Sequence, residues 1–264
     1  MNRTKDNSSH TKIIKAVQDI LCEGSIAVLA TIVESTNKTG AKLLIDARGN
    51  RTGNLGDDQL NKAVSELANE FLSSRSETKT INLSETRIML ERIEPEPKLV
   101  VCGAGHVGAA LARLAIMVGY EVTLIDDRTE FVAQEKFSKE INLIATVDWK
   151  RDIKNVIGTG RGVSVAIVTR GHKEDELCLR AVMESKPDYV GMIGSKRRTR
   201  IVISNLGNKG IDEKLLKDIY APIGLDIGAV SPEEVALAIL AEVVAVRRNG
   251  SGRFLSKRSY LFTP

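Results

Sequence analysis

The sequence predicts an α/β protein: a C-terminal parallel sheet with helices on both faces, and a smaller N-terminal α+β domain ahead of it. Three observations lead there. Residues 99–102 form a short apolar run that ends in Gly103-Ala104-Gly105-His106-Val107-Gly108, and residues 109–118 continue with helix-like apolar spacing. Residues 121–125 are a second apolar run closed by Asp126, and further strand-like runs at 163–168 and 189–193 alternate with helical stretches. Between the two halves stands Glu94-Pro95-Glu96-Pro97. Its prolines donate no main-chain hydrogen bond and hold an extended path, which places a boundary between a domain of residues 1–94 and one of residues 98–248, with 249–264 as a tail.

In chain order, the first ten residues are polar and are expected to be mobile. Ile13, Ile14, Val17, Ile20 and Leu21 then mark an amphipathic helix that stops near Gly24. Residues 26–33 and 42–46 are strand-like, and residues 46–56, rich in glycine and asparagine, are expected to be turns. Asp57 can cap a helix whose stripe is Leu60, Val64, Leu67, Ala68 and Phe71. Residues 78–83 and 86–93 complete the first domain as strands. Beyond the prolines, helices are expected at 174–184 and 197–206. Ser231-Pro232-Glu233-Glu234 is a capping box with proline at the first helical position, opening a helix that runs to Arg247.

Composition narrows the function. A 42% hydrophobic and 27% charged chain of 264 residues is long enough for one large domain or two ordinary ones. The net charge of +4 comes from nearly balanced signs and does not imply nucleic acid, and 4% aromatic residues leave few stacking platforms for single strands. No apolar run approaches a membrane span, and residues 1–12 lack the apolar centre of a secretory signal, so a cytoplasmic location is expected. Cys22, Cys102 and Cys178 have no paired spacing and are expected to be buried small hydrophobes. No zinc spacing, nucleophile elbow or P-loop is present, and no metal-ligating set is expected.

Four loops should meet at the carboxyl ends of the parallel strands, where open α/β sheets bind ligands. In the first, Gly103 allows a tight turn, Gly105 lets the backbone approach a pyrophosphate, and Gly108 lets helix and strand pack closely, which is the pattern of a Rossmann-like dinucleotide site. His106 at the helix start reaches either an anionic ligand group or solvent. In the second, Asp126 is placed for ribose hydroxyls, with Asp127 and Arg128 either tuning that site or forming a surface ion pair. The third is Thr169-Arg170-Gly171-His172, followed by Asp175; Arg170 either faces an anion or is paired internally. In the fourth, Gly194 and Ser195 can present backbone N–H groups, and Lys196 and Arg197 add attraction for phosphate.

Taken together, G-A-G-H-V-G, D-D-R, T-R-G-H-K-E-D, Y-V-G-M-I-G-S-K-R-R, A-P-I-G-L-D-I-G-A and S-P-E-E resemble the xanthine dehydrogenase accessory (XdhC/CoxI) family over residues 98–246. The resemblance implies a small first domain joined to a Rossmann domain, homodimers, and a role in maturing molybdenum hydroxylases. Such proteins bind molybdenum cofactor (molybdopterin), support its sulfuration with a cysteine desulfurase, and pass it to the hydroxylase apoenzyme. Carried over by position, the implied cofactor-binding residues are Gly103, Gly105, His106, Gly108, Asp126, Arg170, His172, Ser195, Lys196 and Arg197. NAD or a related dinucleotide is a second candidate ligand. The first domain departs from the pattern: Gly53-Asn54-Leu55-Gly56-Asp57-Asp58-Gln59-Leu60 stands where a glycine-rich turn with cysteine and glutamate is expected. The alternative functions are an NAD-dependent oxidoreductase and a nucleotide-sensing Rossmann regulator. Turnover of a nicotinamide cofactor would favour the first, and nucleotide binding without pterin the second.

Overall fold

The computed structural model describes residues 3–74 and 76–256, and the chain divides into two compact units, Met1–Glu96 and Pro97–Pro264. Lys257 and Arg258 of the expected tail lie outside the described residues.

In the first unit, α1 (Arg3–Cys22) begins well inside the segment expected to be mobile. It is followed by β1 (Ala27–Glu34), β2 (Lys42–Asp46), β3 (Arg51–Gly53), α2 (Asp58–Ser73), β4 (Thr78–Leu83) and β5 (Thr86–Ile93). The strands form an antiparallel sheet in the order β3-β2-β1-β5-β4. Period-two alternation sends Val28, Ala30 and Ile32 of β1 to one face, where Val64, Ala68 and Phe71 of α2 cover them. Ala27 and Leu44 face Ile13 of α1 instead. The α1 stripe is narrower than its sequence pattern, since Ile14 and Leu21 are exposed. Asp57 caps α2 as expected, its Oδ1 accepting the Leu60 N–H at 3.0 Å. β3 stands where the sequence predicts turn. Pairing with β2 draws Arg51–Gly53 into the sheet, and Gly53 sits at φ +101° with its Cα against the Lys42 carbonyl, where a Cβ would lie at 2.4 Å.

The second unit holds β6 (Lys98–Cys102), α3 (His106–Met117), β7 (Glu121–Asp126), β8 (Ile141–Ala145), α4 (Trp149–Ile157), β9 (Val163–Ile167), α5 (His172–Ser185), β10 (Tyr189–Met192), α6 (Lys196–Asn208), α7 (Glu213–Lys217) and α8 (Pro232–Arg247). Its five strands are all parallel, in the order β10-β9-β6-β7-β8. Alternate residues of β6 feed two cores. Leu99 and Val101 pack with α3 and α8, while Val100 and Cys102 pack with α4, α5 and α6. Each such aliphatic side chain contributes about 1.5–3 kcal/mol when fully buried. Ser231 and Glu234 form the expected capping box on α8. β8 and α4 have weaker sequence signals, because β8 buries fully only Ile141 and α4 only Ile153 and Ile157.

The strand order reverses between β6, which continues to β7, and β9, which continues to β10. That reversal opens a crevice at the carboxyl ends of β6 and β9, the standard ligand position of this architecture. No helix among the described residues is long and apolar enough to cross a membrane.

Candidate functional site

The glycine loop leaves β6 and enters α3 with each glycine doing separate work. Gly103 has φ +112°, and a Cβ there would lie 2.6 Å from the Val168 carbonyl oxygen, so the turn after β6 is pressed against the end of β9. A Cβ on Gly108 would fall inside the Gly103 carbonyl, at 1.8 Å, which fixes helix against turn. Gly105 differs: it has an ordinary φ of −65°, and a Cβ would meet nothing within 4 Å. It is the N-cap of α3 and supplies no side-chain acceptor, so no side chain of the N-cap closes the first turn. His106, the first helical residue, is exposed.

Asp126, at the end of β7, is 1% exposed and holds this loop in place. Its Oδ2 accepts the Ala104 N–H at 2.6 Å and Arg128 Nη2 at 2.8 Å. Its Oδ1 accepts the Arg128 N–H at 3.0 Å and Arg128 Nε at 2.8 Å. Burial alone would raise this carboxyl; the Arg128 guanidinium and the two backbone N–H groups outweigh it and hold the group below the ordinary aspartate range. Arg128 in turn lies on the Phe131 ring, its guanidinium carbon 3.6 Å from the centroid. Arg128 therefore pairs first with the buried Asp126 carboxylate, and Asp127 Oδ1 lies at the outer limit of an ion pair, 4.0 Å from its Nε.

After β9, Arg170 donates to Asp127 Oδ2 at 3.1 Å, with both side chains partly open to solvent. Because β9 and β7 flank β6 in the sheet, this pair links the loops on either side of the glycine turn. His172 opens α5 and is exposed. Asp175, one turn into α5, is fully buried and binds Arg198 rather than Arg170. Arg198 Nε donates to Asp175 Oδ2 at 3.0 Å, Nη2 donates to the same oxygen, and the Thr169 hydroxyl donates to Oδ1. Burial pushes the Asp175 carboxyl up, and the hydroxyl and guanidinium only partly offset it. Sequence reasoning left Arg198 out of the site. The signal was available in Asp175, which shares a stripe with Cys178, Leu179 and Val182 at helical spacing, so a carboxylate buried there needs a cation.

At the end of β10, Ser195 is the N-cap of α6, its hydroxyl accepting the Arg198 N–H at 3.2 Å. The hydroxyl serves the helix itself, and Lys196 and Arg197 stand exposed beside it. The sheet thus brings Gly105, His106, Arg170, His172, Lys196 and Arg197 to one edge, with Asp126, Gly103, Gly108 and Ser195 shaping the backbone there. Cys102 and Cys178 are buried, and desolvation together with the neighbouring Cys102 thiol pushes the Cys178 thiol well up, so neither is a nucleophile for this edge. Cys22 is exposed, contrary to expectation, because it ends α1 on the side turned from the sheet core.

A cavity of about 530 Å³, lined by Met183, Lys186, Asp188, Tyr189, Lys217 and Tyr220, lies at the opposite end of β10 and takes no part in this arrangement. The Ala221–Gly228 loop is tied down by Glu242 of α8, whose Oε1 accepts from the Tyr189 hydroxyl at 2.6 Å and from the Gly224 N–H at 3.1 Å. Burial, with Glu242 adding to it, raises the Tyr189 hydroxyl far above its usual range, so it stays a donor.

Comparison with known proteins agrees with this architecture. The uncharacterized protein YqeB of Escherichia coli K12 is 24% identical over 90% of this chain and 46% of its own length. A Bacillus subtilis 168 protein described as a probable xanthine dehydrogenase subunit is 28% identical over 62% of this chain and 47% of its own. The molybdenum cofactor insertion chaperone PaoD of Escherichia coli K12 is 36% identical over 26% of this chain and 22% of its own. The chain therefore spans about half, or less, of the length of these relatives. A solved structure described as a xanthine dehydrogenase from Bacillus halodurans shares the fold, with a TM-score of 0.51 and 20% identity over 94% of this chain and 99% of its own. Residues 99–243 match the XdhC Rossmann domain and residues 21–82 match the XdhC and CoxI family model. With its dinucleotide-type turn and both family regions in order, this chain belongs to the XdhC and CoxI family.

Proposed function

We propose that this chain is an accessory protein that binds molybdenum cofactor and supports its sulfuration and insertion into a xanthine dehydrogenase-type molybdenum hydroxylase. The observation that carries the reading is the uncapped start of α3, where Gly105 leaves space that a Cβ would fill. A phosphate placed there meets helix-start N–H groups and a favourable dipole. The relatives named as a molybdenum cofactor insertion chaperone and as part of a xanthine dehydrogenase support it.

The residues fit an anionic pterin better than they fit sulfur chemistry. Gly105 and the first turn of α3 would hold the phosphate, and Arg170, Lys196 and Arg197 would add charge-assisted hydrogen bonds of about 1.5–3 kcal/mol each. When bound, the cofactor supplies the molybdenum centre that the hydroxylase uses. The two cysteines of the second unit, Cys102 and Cys178, are buried, and in this reading the cysteine desulfurase delivers sulfur directly to the held cofactor. The chain's own part is to bind, orient and shield. A homodimer belongs to the same proposal and is read by sedimentation of the purified chain.

The test is purification without oxygen, followed by mass spectrometry for pterin and metal analysis for molybdenum. Both should accompany the wild-type chain. Gly105→Val should strip them while circular dichroism stays unchanged, because the new side chain enters ligand space and not the core. A wild-type chain that carries no pterin and takes none up from free molybdopterin would overturn the reading.

A further inference from the structure

In a Rossmann unit the group after the second strand selects the nucleotide. A free carboxylate accepts from ribose hydroxyls, and a nearby arginine accommodates a ribose 2′-phosphate. This chain has both, as Asp126 and Arg128, and their geometry decides between them. An ionised carboxylate offers about four acceptor positions. All four are taken here, two by backbone N–H groups of Ala104 and Arg128 and two by the Arg128 guanidinium. With Asp126 only 1% exposed, a ribose hydroxyl finds neither a vacant lone pair nor a surface to approach.

Arg128 is in the reverse condition. A guanidinium has five N–H donors, and Asp126 engages Nε and one hydrogen of Nη2, leaving donors directed elsewhere. The side chain is 23% exposed, and one face of the guanidinium is stacked on Phe131, which fixes its plane before any ligand arrives. Asp127 and Glu130 also stand beside it; Asp127 lies 4.0 Å from Arg128 Nε but is drawn more closely to Arg170, at 3.1 Å, which offsets part of its repulsion of an incoming anion.

We propose that the crevice between β6, α3 and β7 takes a nucleotide phosphorylated on the ribose next to Asp126, of the NADP class rather than the NAD class, with Arg128 as the specificity-determining residue. The phosphate meets the unused Arg128 donors, and the open face of the guanidinium stacks against the base. Asp126 then acts through Arg128, as the group that orients it. A ribose bearing free hydroxyls would have to displace a bidentate, charge-assisted pair to gain two neutral donors, whereas a phosphate leaves that pair in place and competes only with the looser Asp127 contact at 4.0 Å. This inference rests on the reading that the glycine loop binds the phosphate of a ligand.

Calorimetry on the full chain tests it with NADP⁺ against NAD⁺, and with adenosine 2′,5′-bisphosphate against adenosine 5′-monophosphate. The phosphorylated member of each pair should bind at least tenfold tighter to the wild-type chain. Arg128→Gln should bring each ratio close to one, and Arg128→Lys should keep part of the preference, since the charge survives without the fork or the stacking plane. Equal wild-type affinities, or a preference that survives Arg128→Gln, would overturn the inference and leave the glycine-loop reading intact. Failure of all four probes to bind the wild-type chain would overturn the inference, while the glycine-loop reading stands or falls on the pterin test. Should Arg128→Gln not fold, the wild-type ratio and the Arg128→Lys ratio decide the matter.

Discussion

Two buried aspartates stand at the carboxyl end of the same parallel sheet, each gripped by one half-buried arginine, yet their charges are held in opposite ways. Asp126 lies below the ordinary aspartate range and Asp175 above it. In both cases burial is the largest influence and pushes upward. The difference lies in the rest of the shell. Asp126 receives two backbone N–H groups, one from Ala104, which the glycine turn brings over the end of β7, and one from Arg128 two residues on. Asp175 receives a threonine hydroxyl and Arg198 and, among the described residues, no backbone donor. One arginine is therefore not enough to compensate a buried carboxylate; the dipoles of a folded loop complete the work. The better-compensated carboxylate is the one beside the dinucleotide turn, and the other braces the loops after β9 and β10.

The largest effect that would sharpen this contrast is on stability. Asp126→Asn keeps the shape but removes the charge facing Arg128 and turns an acceptor into a donor beside the guanidinium and N–H groups, costing about 3 kcal/mol at neutral pH. Asp175→Asn should cost less, about 1–2 kcal/mol, because the charge it removes is one that burial already disfavours. Urea unfolding of the two variants measures both, and equal losses would erase the distinction.

The pH profile should show the same contrast with opposite signs. Asp126, lowered on folding, contributes stability that is present above the ordinary value of 3.8 and is lost as pH falls through its folded value, beneath 3.8. Asp175, raised on folding, makes the folded chain bind a proton more readily than the unfolded one. Its contribution is greatest below 3.8 and declines as pH rises through its elevated value. In unfolding free energies followed from about pH 2.5 to 6, Asp126→Asn should flatten the limb below 3.8 and Asp175→Asn the decline just above it. Profiles that change in the same direction would break the comparison.

Arg170 offers a smaller test of whether the exposed pair over the glycine turn belongs to the ligand or to the fold. Arg170→Ala removes an ion pair that is half open to solvent, so stability should change by about 0–1 kcal/mol while cofactor retention falls. A melting temperature lowered by several degrees with retention unchanged would assign Arg170 to the fold. The smallest expected effect is from cutting the chain between the units. We propose that limited proteolysis near the two prolines leaves a stable fragment beginning near Lys98 that keeps both limbs of the pH profile. Loss of either limb in that fragment would show that its aspartate depends on the first unit.

Much of this architecture was legible because its signals are local. The runs ending at Cys102 and Asp126, the Asp57 cap and the Ser231 capping box each express themselves within a few residues. β3 was not legible, since three residues with one half-buried side chain become a strand only by pairing with β2. The helix marked by Ile13, Val17 and Ile20 was legible, but its start at Arg3 was not, because residues 3–12 are polar and carry no apolar period to read. At the candidate site the strand-end loops could be placed from the pattern, but their partners could not. Arg170 and Arg128 have similar exposed-loop contexts in sequence, and only one of them closes on a buried carboxylate.

The sequence by itself determined the kinds of element and their order, the three glycines of the turn, and the cations and carboxylates available at the strand ends. These follow from periodicity, caps and backbone freedom, which act over one or two turns of chain. Only the tertiary structure decided that Arg128 saturates Asp126, that Arg198 rather than Arg170 neutralises Asp175, and that Ser195 caps its own helix. Those pairings join residues from separate strands and helices, or depend on which donors the turn delivers to a buried oxygen. A carboxylate's partner is set by which cation the sheet brings within about 3 Å after burial has removed water as the alternative.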